Sequence, residues 1–302
     1  MPFEKAFEPT VFEGVDWQQG NSPLTQEFTI RADMEDRGVR FPPRKRWGQH
    51  FLASPRIAER IVEAAALGAR DTVIEVGPGE GALTRPLSRR VAKVLAIEID
   101  PARARALAEE FAGIEAVRIL QGDALEKSFS AWLAAAGWSG PAVLVANLPY
   151  NAATPILRAA IEEPHAISRV VATVQREVAR RFAARPRQDG YGYLSIRTAA
   201  YAQARVLFDL PPGAFRPLPK VVSSVLELSP REDSLEPARR HRALIVASLG
   251  FRSRRKTLAN ALAALAPRAA WEKALTRIGK SPRARAEELG LEDYLALAEL
   301  VP

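Results

Sequence analysis

The sequence predicts an open α/β fold in which a parallel sheet carries helices on both faces and a small all-helical domain follows. Three observations predict it. From Asp71 onward, short apolar runs alternate with stretches of helical periodicity. The first such run ends in a glycine-rich turn, VIEVGPGEG, that opens a helix. After Pro230 the strand-like runs cease and only helical spacing continues.

Taken in order, residues 1–40 are polar and acidic without sustained periodicity, and read as a flexible extension. The ordered body, 41–230, begins with PPRKRWGQHFL and a helix over Pro55–Leu67. DTVIEVG is a buried strand and Glu80–Arg90 its helix. AKVLAIEID is the next strand, and Pro101 starts the helix that runs to Phe111. EAVRILQGDA, PAVLVANLPY and SRVVATVQ supply three more strands. ARVLFDL and VVSSVLELS, joined by a Pro-rich connection, read as an antiparallel pair at the sheet edge. In the helical domain, 231–302, helices are predicted over Glu236–Leu249, Arg254–Leu265, Ala269–Ile278 and Glu292–Leu300.

Composition narrows the chemistry. The 302 residues include no Cys and three His, at positions 50, 165 and 241, which excludes thiolate chemistry and disfavours a metal site. No apolar run approaches the roughly 18 residues of a membrane span, and the first residues lack the pattern of a signal peptide. These features lead us to expect a cytoplasmic protein. Residues 1–40 hold eight acids and four bases, which leaves 39 bases against 27 acids in the rest, a net of +12. Between Arg169 and Lys220 there are ten bases and three acids, a balance that suits a polyanion.

The chemistry gathers where strands end. Gly77 and Gly79 permit a tight turn with close backbone approach to a ligand. Glu98 lies 21 positions after Gly77, where a carboxylate can hold both hydroxyls of a ribose. Asp123 follows the third strand at the same edge. Glu75 and Glu80 flank the turn and suit a pyrophosphate poorly, whereas carboxylates favour the sulfonium of S-adenosylmethionine. A nicotinamide dehydrogenase is the rival reading at this point.

Asn147-Leu148-Pro149-Tyr150 then ends the fourth strand at that edge. An exocyclic amine such as adenine N6 is a poor nucleophile until acceptors hold its N–H groups. The Asn147 side-chain oxygen and the Leu148 carbonyl can supply them, Pro149 stiffens the chain, and Tyr150 can stack on the base. As the nitrogen gains positive charge, each acceptor contributes about 1.5–3 kcal/mol, roughly ten- to a hundredfold in rate. Phe215 offers a second aromatic platform, with Arg216 and Lys220 as phosphate contacts. Arg252, Arg254, Arg255 and Lys256 are expected at a helix start, where cations oppose the helix dipole and so imply an external anion.

KRWGQHFL, EVGPGEGALT, IEID, GDAL, NLPYNAATPIL, VQREVARR, YGYLSI, FRPLPKVVSS and RRKTLAN occur in the order typical of a known family. The chain from residue 44 to about 300 resembles the small-subunit rRNA adenine dimethyltransferases of the kasugamycin-sensitivity type. The resemblance implies a Rossmann-like S-adenosylmethionine-dependent methyltransferase sheet with a helical C-terminal domain. It also implies N6,N6-dimethylation of two adjacent adenosines in the 3′-terminal hairpin of 16S rRNA, on an immature 30S subunit, by a monomer. Carried over, cofactor contacts fall on His50, Leu52, Gly77, Glu98, Asp123 and Asn147, with Asn147 also serving the target amine. His50 stands where the family usually has Asn. Its imidazole retains a donor for the methionine carboxylate, in a contact that becomes pH-sensitive.

Two alternatives stay open beside this one. A large-subunit rRNA adenine methyltransferase would share the Asn147 motif, although FRPLPKVVSS and RRKTLAN favour the small-subunit family. An assembly factor that acts mainly by binding the pre-small subunit is the other.

Overall fold

In the computed structural model, residues 50–231 and 235–300 are described. The acidic segment 1–40 and most of KRWGQHFL lie outside them. The chain enters through a two-residue strand, β1 (Phe51–Leu52), and α1 (Pro55–Ala64). Ser54 caps α1 by accepting from the Arg56 N–H, and Pro55 occupies its first turn. Next come β2 (Thr72–Val76), the short α2 (Thr84–Ser88), β3 (Lys93–Glu98) and α3 (Pro101–Glu110). Asp100 caps α3 as Ser54 caps α1. β4 (Val117–Gln121), α4 (Phe129–Ala135), β5 (Ala142–Asn147), α5 (Ala153–Glu162) and β6 (Ile167–Gln175) continue the alternation. Two consecutive helices, α6 (Arg176–Ala183) and α7 (Tyr193–Tyr201), lead into β7 (Ala202–Leu210), β8 (Phe215–Arg216) and β9 (Ser223–Pro230). Helices α8 (Pro237–Arg252), α9 (Leu258–Ala261), α10 (Arg268–Arg277) and α11 (Leu291–Leu300) complete the described chain.

The main sheet has seven strands in the order β4-β3-β2-β5-β6-β9-β7. The first five run parallel, and β9 and β7 are antiparallel to their neighbours, as the sequence predicts for that edge. Strand order reverses at β2 and β5, so the ends of these two strands flank the crevice where open α/β sheets bind ligands. Both strands are almost wholly buried, because helices cover both faces and leave no polar side. One apolar layer includes Leu95, Leu144, Trp132 and Leu157, and the other includes Ile61, Leu87, Val145 and Phe215.

Two predicted helices are shorter than expected. Gly79 and Gly81 hold left-handed φ of 60° and 75°, which keeps the chain in turns until Thr84. In the helical region α8 runs on to Arg252, and the next helix spans only Leu258–Ala261. Arg254, Arg255 and Lys256 therefore occupy the intervening turn, while Arg252 ends α8. A cation at a helix C-terminus is favourable, so the dipole argument for an external anion fails here.

The helical core draws in Tyr191, Ile196 and Ala200 from before Pro230. The described residues all belong to one compact unit. Position 230 thus marks a change of architecture within a shared core. Among the described residues no helix is long and apolar enough to cross a membrane.

Candidate active site

Three features meet at the carboxyl edge of β2, β3 and β5. The turn after β2 folds over β3: the Gly79 N–H donates to Glu98 Oε2 at 2.9 Å, and the Asp100 N–H donates to Oε1 at 3.0 Å. Glu98 is almost fully buried, and burial pushes its carboxyl upward, opposed by these two N–H groups and by Arg103. Each oxygen keeps a second lone-pair direction for a ligand hydroxyl. A Cβ on Gly79 would stand 2.7 Å from a Phe51 ring carbon, so no other residue lets the turn approach this ring. The Arg103 guanidinium lies 4.5 Å from the opposite partner of that contact, the Phe51 ring centroid. Gly77 sits beside the other strand, 3.9 Å from Pro149 by the same measure.

Asp123 joins this edge because the Gly122 N–H bonds to the Glu98 carbonyl at 2.9 Å. Its Oδ1 accepts from the Leu125 N–H at 2.9 Å, which fixes the carboxylate within the turn. Beneath the turn lies Glu75, only 1% exposed, whose Oε2 accepts from the Thr84 hydroxyl at 2.7 Å. Burial, with repulsion from Glu98, pushes its carboxyl up to about 8. At neutral pH Glu75 is therefore mainly protonated.

Asn147 ends β5, and its carboxamide has a fixed sense. Nδ2 donates to the His50 carbonyl at 2.7 Å. A carbonyl only accepts, so the amide nitrogen must face it and Oδ1 must face away. The Leu148 N–H continues the ladder to the Thr173 carbonyl at 3.1 Å, and its side chain is buried as an anchor. The Tyr150 hydroxyl shares a 2.6 Å hydrogen bond with Ser223 Oγ, and its ring centroid lies 5.0 Å from that of His50, tilted by 30°. Burial raises the phenol above its usual range and Ser223 partly opposes this, so the ring is held neutral and fixed.

His50 departs from the sequence reading in one respect. Its Nδ1 lies 2.7 Å from the Pro217 carbonyl and must carry the proton there. The Nε2 of a neutral ring is then an acceptor, so only an imidazolium could donate to a methionine carboxylate. To Asn147 His50 contributes its main-chain carbonyl, which orients the amide, while its ring packs against Tyr150 and bonds to Pro217. Leu52 is half-buried and pairs with Phe215 across a two-stranded ribbon of β1 and β8.

Phe215 is likewise corrected. It is 1% exposed, packed in the core beside Leu210, Ala214 and Val225, and so presents no platform to a base. Alternation along β8 turns Phe215 inward and Arg216 outward. Arg216, which ends β8, and Lys220, on the loop that follows, are both exposed. Arg254 bonds to the Tyr191 carbonyl and to Glu287, both at 3.3 Å, and so braces the 191 loop against the helical region. Arg252, Arg255 and Lys256 are exposed around it. Ser223, Thr84 and Phe51 were not singled out from sequence. Ser223 is 73 positions from Tyr150, and no local pattern signals such a pairing.

Comparison with known proteins identifies the family. A family model described as ribosomal RNA adenine dimethylase matches residues 40–301. A ribosomal RNA small subunit methyltransferase A from Methylococcus capsulatus is 41% identical over 260 residues, covering 86% of this chain and 98% of its own. One of the same name from a Synechococcus species is 41% identical over 268 residues, covering 86% and 93%. Among solved structures, the 23S rRNA methyltransferase ErmE superposes with a TM-score of 0.66 at 29% identity, over 83% of this chain and 99% of that one. A dimethyladenosine transferase from Plasmodium falciparum shares the fold, with a TM-score of 0.67 at 24% identity over 82% and 96%. With its glycine turn, buried acids and oriented Asn147 in one crevice, the chain belongs to the ribosomal RNA adenine dimethylase family.

Proposed function

We propose that this enzyme dimethylates N6 of two adjacent adenosines in the 3′-terminal hairpin of 16S rRNA, within an immature 30S subunit. It belongs to a family of S-adenosylmethionine-dependent methyltransferases, and its crevice fits that cofactor. The cradle at Gly79 has no room for a Cβ, and the acids around it, Glu98 and Asp123, favour a cationic nucleoside over a pyrophosphate. Glu98 and Asp123 would hold the nucleoside, and the Gly77–Gly79 turn would lie against it. When bound, S-adenosylmethionine supplies a methyl carbon made electrophilic by its sulfonium.

The observation that carries the proposal is the direction of the Asn147 amide. With Nδ2 committed to His50, Oδ1 is free to accept from the target amine, and the Leu148 carbonyl can take its second N–H. Both dipoles are set before the base arrives, so they require no reorganisation as charge grows on nitrogen. The proton that leaves the alkylated amine passes to solvent, and no strong base is needed. Tyr150, held by Ser223 and His50, would meet the base face. Mass spectrometry of 16S rRNA from cells with and without the gene tests the activity. The adjacent dimethyladenosines should disappear without it, and their persistence would remove the proposal.

A further inference from the structure

Leu218 is the most exposed of the large apolar side chains that stand out from the described surface, with 67% of its area open. A flexible loop would fold such a residue back. This one cannot. Phe215 is locked in the core and Pro219 is buried. The Pro217 carbonyl accepts from His50 at 2.7 Å, and the Val222 carbonyl accepts from the Arg176 N–H at 3.0 Å. Leu218 is thereby held outward between two exposed cations, Arg216 and Lys220, each two positions away. The same loop touches the site at both ends, through His50 and through the Ser223–Tyr150 hydrogen bond.

We propose that Leu218 is the wedge that fills the gap left in the RNA stack when the target adenine turns outward to Asn147. This rests on the function proposed above. An amine inside a base stack cannot reach the half-buried Asn147 oxygen, so the base must leave its neighbours. An apolar side chain that enters the vacated step offsets the lost stacking, as wedges do where proteins open nucleic-acid stacks. The flanking cations would grip the backbone phosphates on either side of the opened step. The apolar tip and its charges suit a base stack better than an apolar protein partner, which would leave both cations unpaired.

Small ribosomal subunits purified from cells lacking the modification provide the test. Leu218→Asn keeps the size of the side chain and removes its apolar character. It should lower the single-turnover methylation rate roughly tenfold, with subunit affinity, S-adenosylmethionine affinity and thermal midpoint close to the parent's. The conservative Leu218→Met should recover most of the rate. An Asn variant at the parental rate overturns the wedge, as does a rate loss that merely follows weaker subunit binding or an equal loss in the Met variant. If the parent enzyme itself leaves these subunits unmethylated, the assigned reaction fails and the wedge with it.

Discussion

Replacing Asn147 with Ala is expected to lower single-turnover methylation of small-subunit rRNA by about a hundredfold or more. The change removes an acceptor that binds more strongly as the amine nitrogen becomes positive, and such differential binding acts on rate. It also frees the His50 carbonyl, which loses its only described side-chain donor, so the β1 segment should loosen. Asn147→Asp separates the two effects. Aspartate keeps acceptors, but it presents oxygen to a carbonyl that Nδ2 now approaches to 2.7 Å, and the repulsion turns it away from its working position. Its rate should fall about as far as that of the Ala variant. If acceptor chemistry alone mattered, the Asp variant would stay near the parent. Should binding to the pre-small subunit be a separate assembly role, it would survive in both variants while methylation is lost.

Glu75→Gln is expected to make the protein more stable at pH 8 and to flatten its response to pH. In the unfolded chain a glutamate ionises near 4.5, whereas in the folded one burial pushes Glu75 up to about 8. Between those values the folded state holds a proton that the unfolded state has released. Stability from this group is thus full below the lower value, declines as pH rises through the window, and levels off above the upper one. The span corresponds to a loss on the order of 5 kcal/mol across the window. Glutamine is neutral throughout and can still accept from the Thr84 hydroxyl. Urea unfolding of both proteins at a series of pH values measures the difference. Parallel curves would show that Glu75 does not carry a buried proton.

Much of the fold was legible because its signals are local. Apolar runs separated by helical spacing gave the parallel strands, and the helix starts at Pro55 and Pro101 were readable; their caps, Ser54 and Asp100, emerge only in the structure. The 21-residue interval from Gly77 to Glu98 placed an acid at the next strand end, where it does meet the turn. Asn147 was visible as an amide ending a strand. What fixes that amide was not visible, since His50 lies 97 positions away and acts through its main chain. Phe215 misled because charged and proline neighbours suggest an exposed loop. The residue in fact belongs to a two-residue strand whose alternation buries it. Arg254 misled for the opposite reason: a run of cations looks like a ligand site, yet its partners, Tyr191 and Glu287, come from distant turns.

A crystal structure of the enzyme with S-adenosylhomocysteine and an adenosine-bearing RNA fragment would test the arrangement most directly. The target N6 should lie within hydrogen-bond reach of Asn147 Oδ1 and the Leu148 carbonyl, with Nδ2 still on the His50 carbonyl. An amine seated elsewhere, or a reversed Asn147 that turns Nδ2 toward the base, would contradict the account.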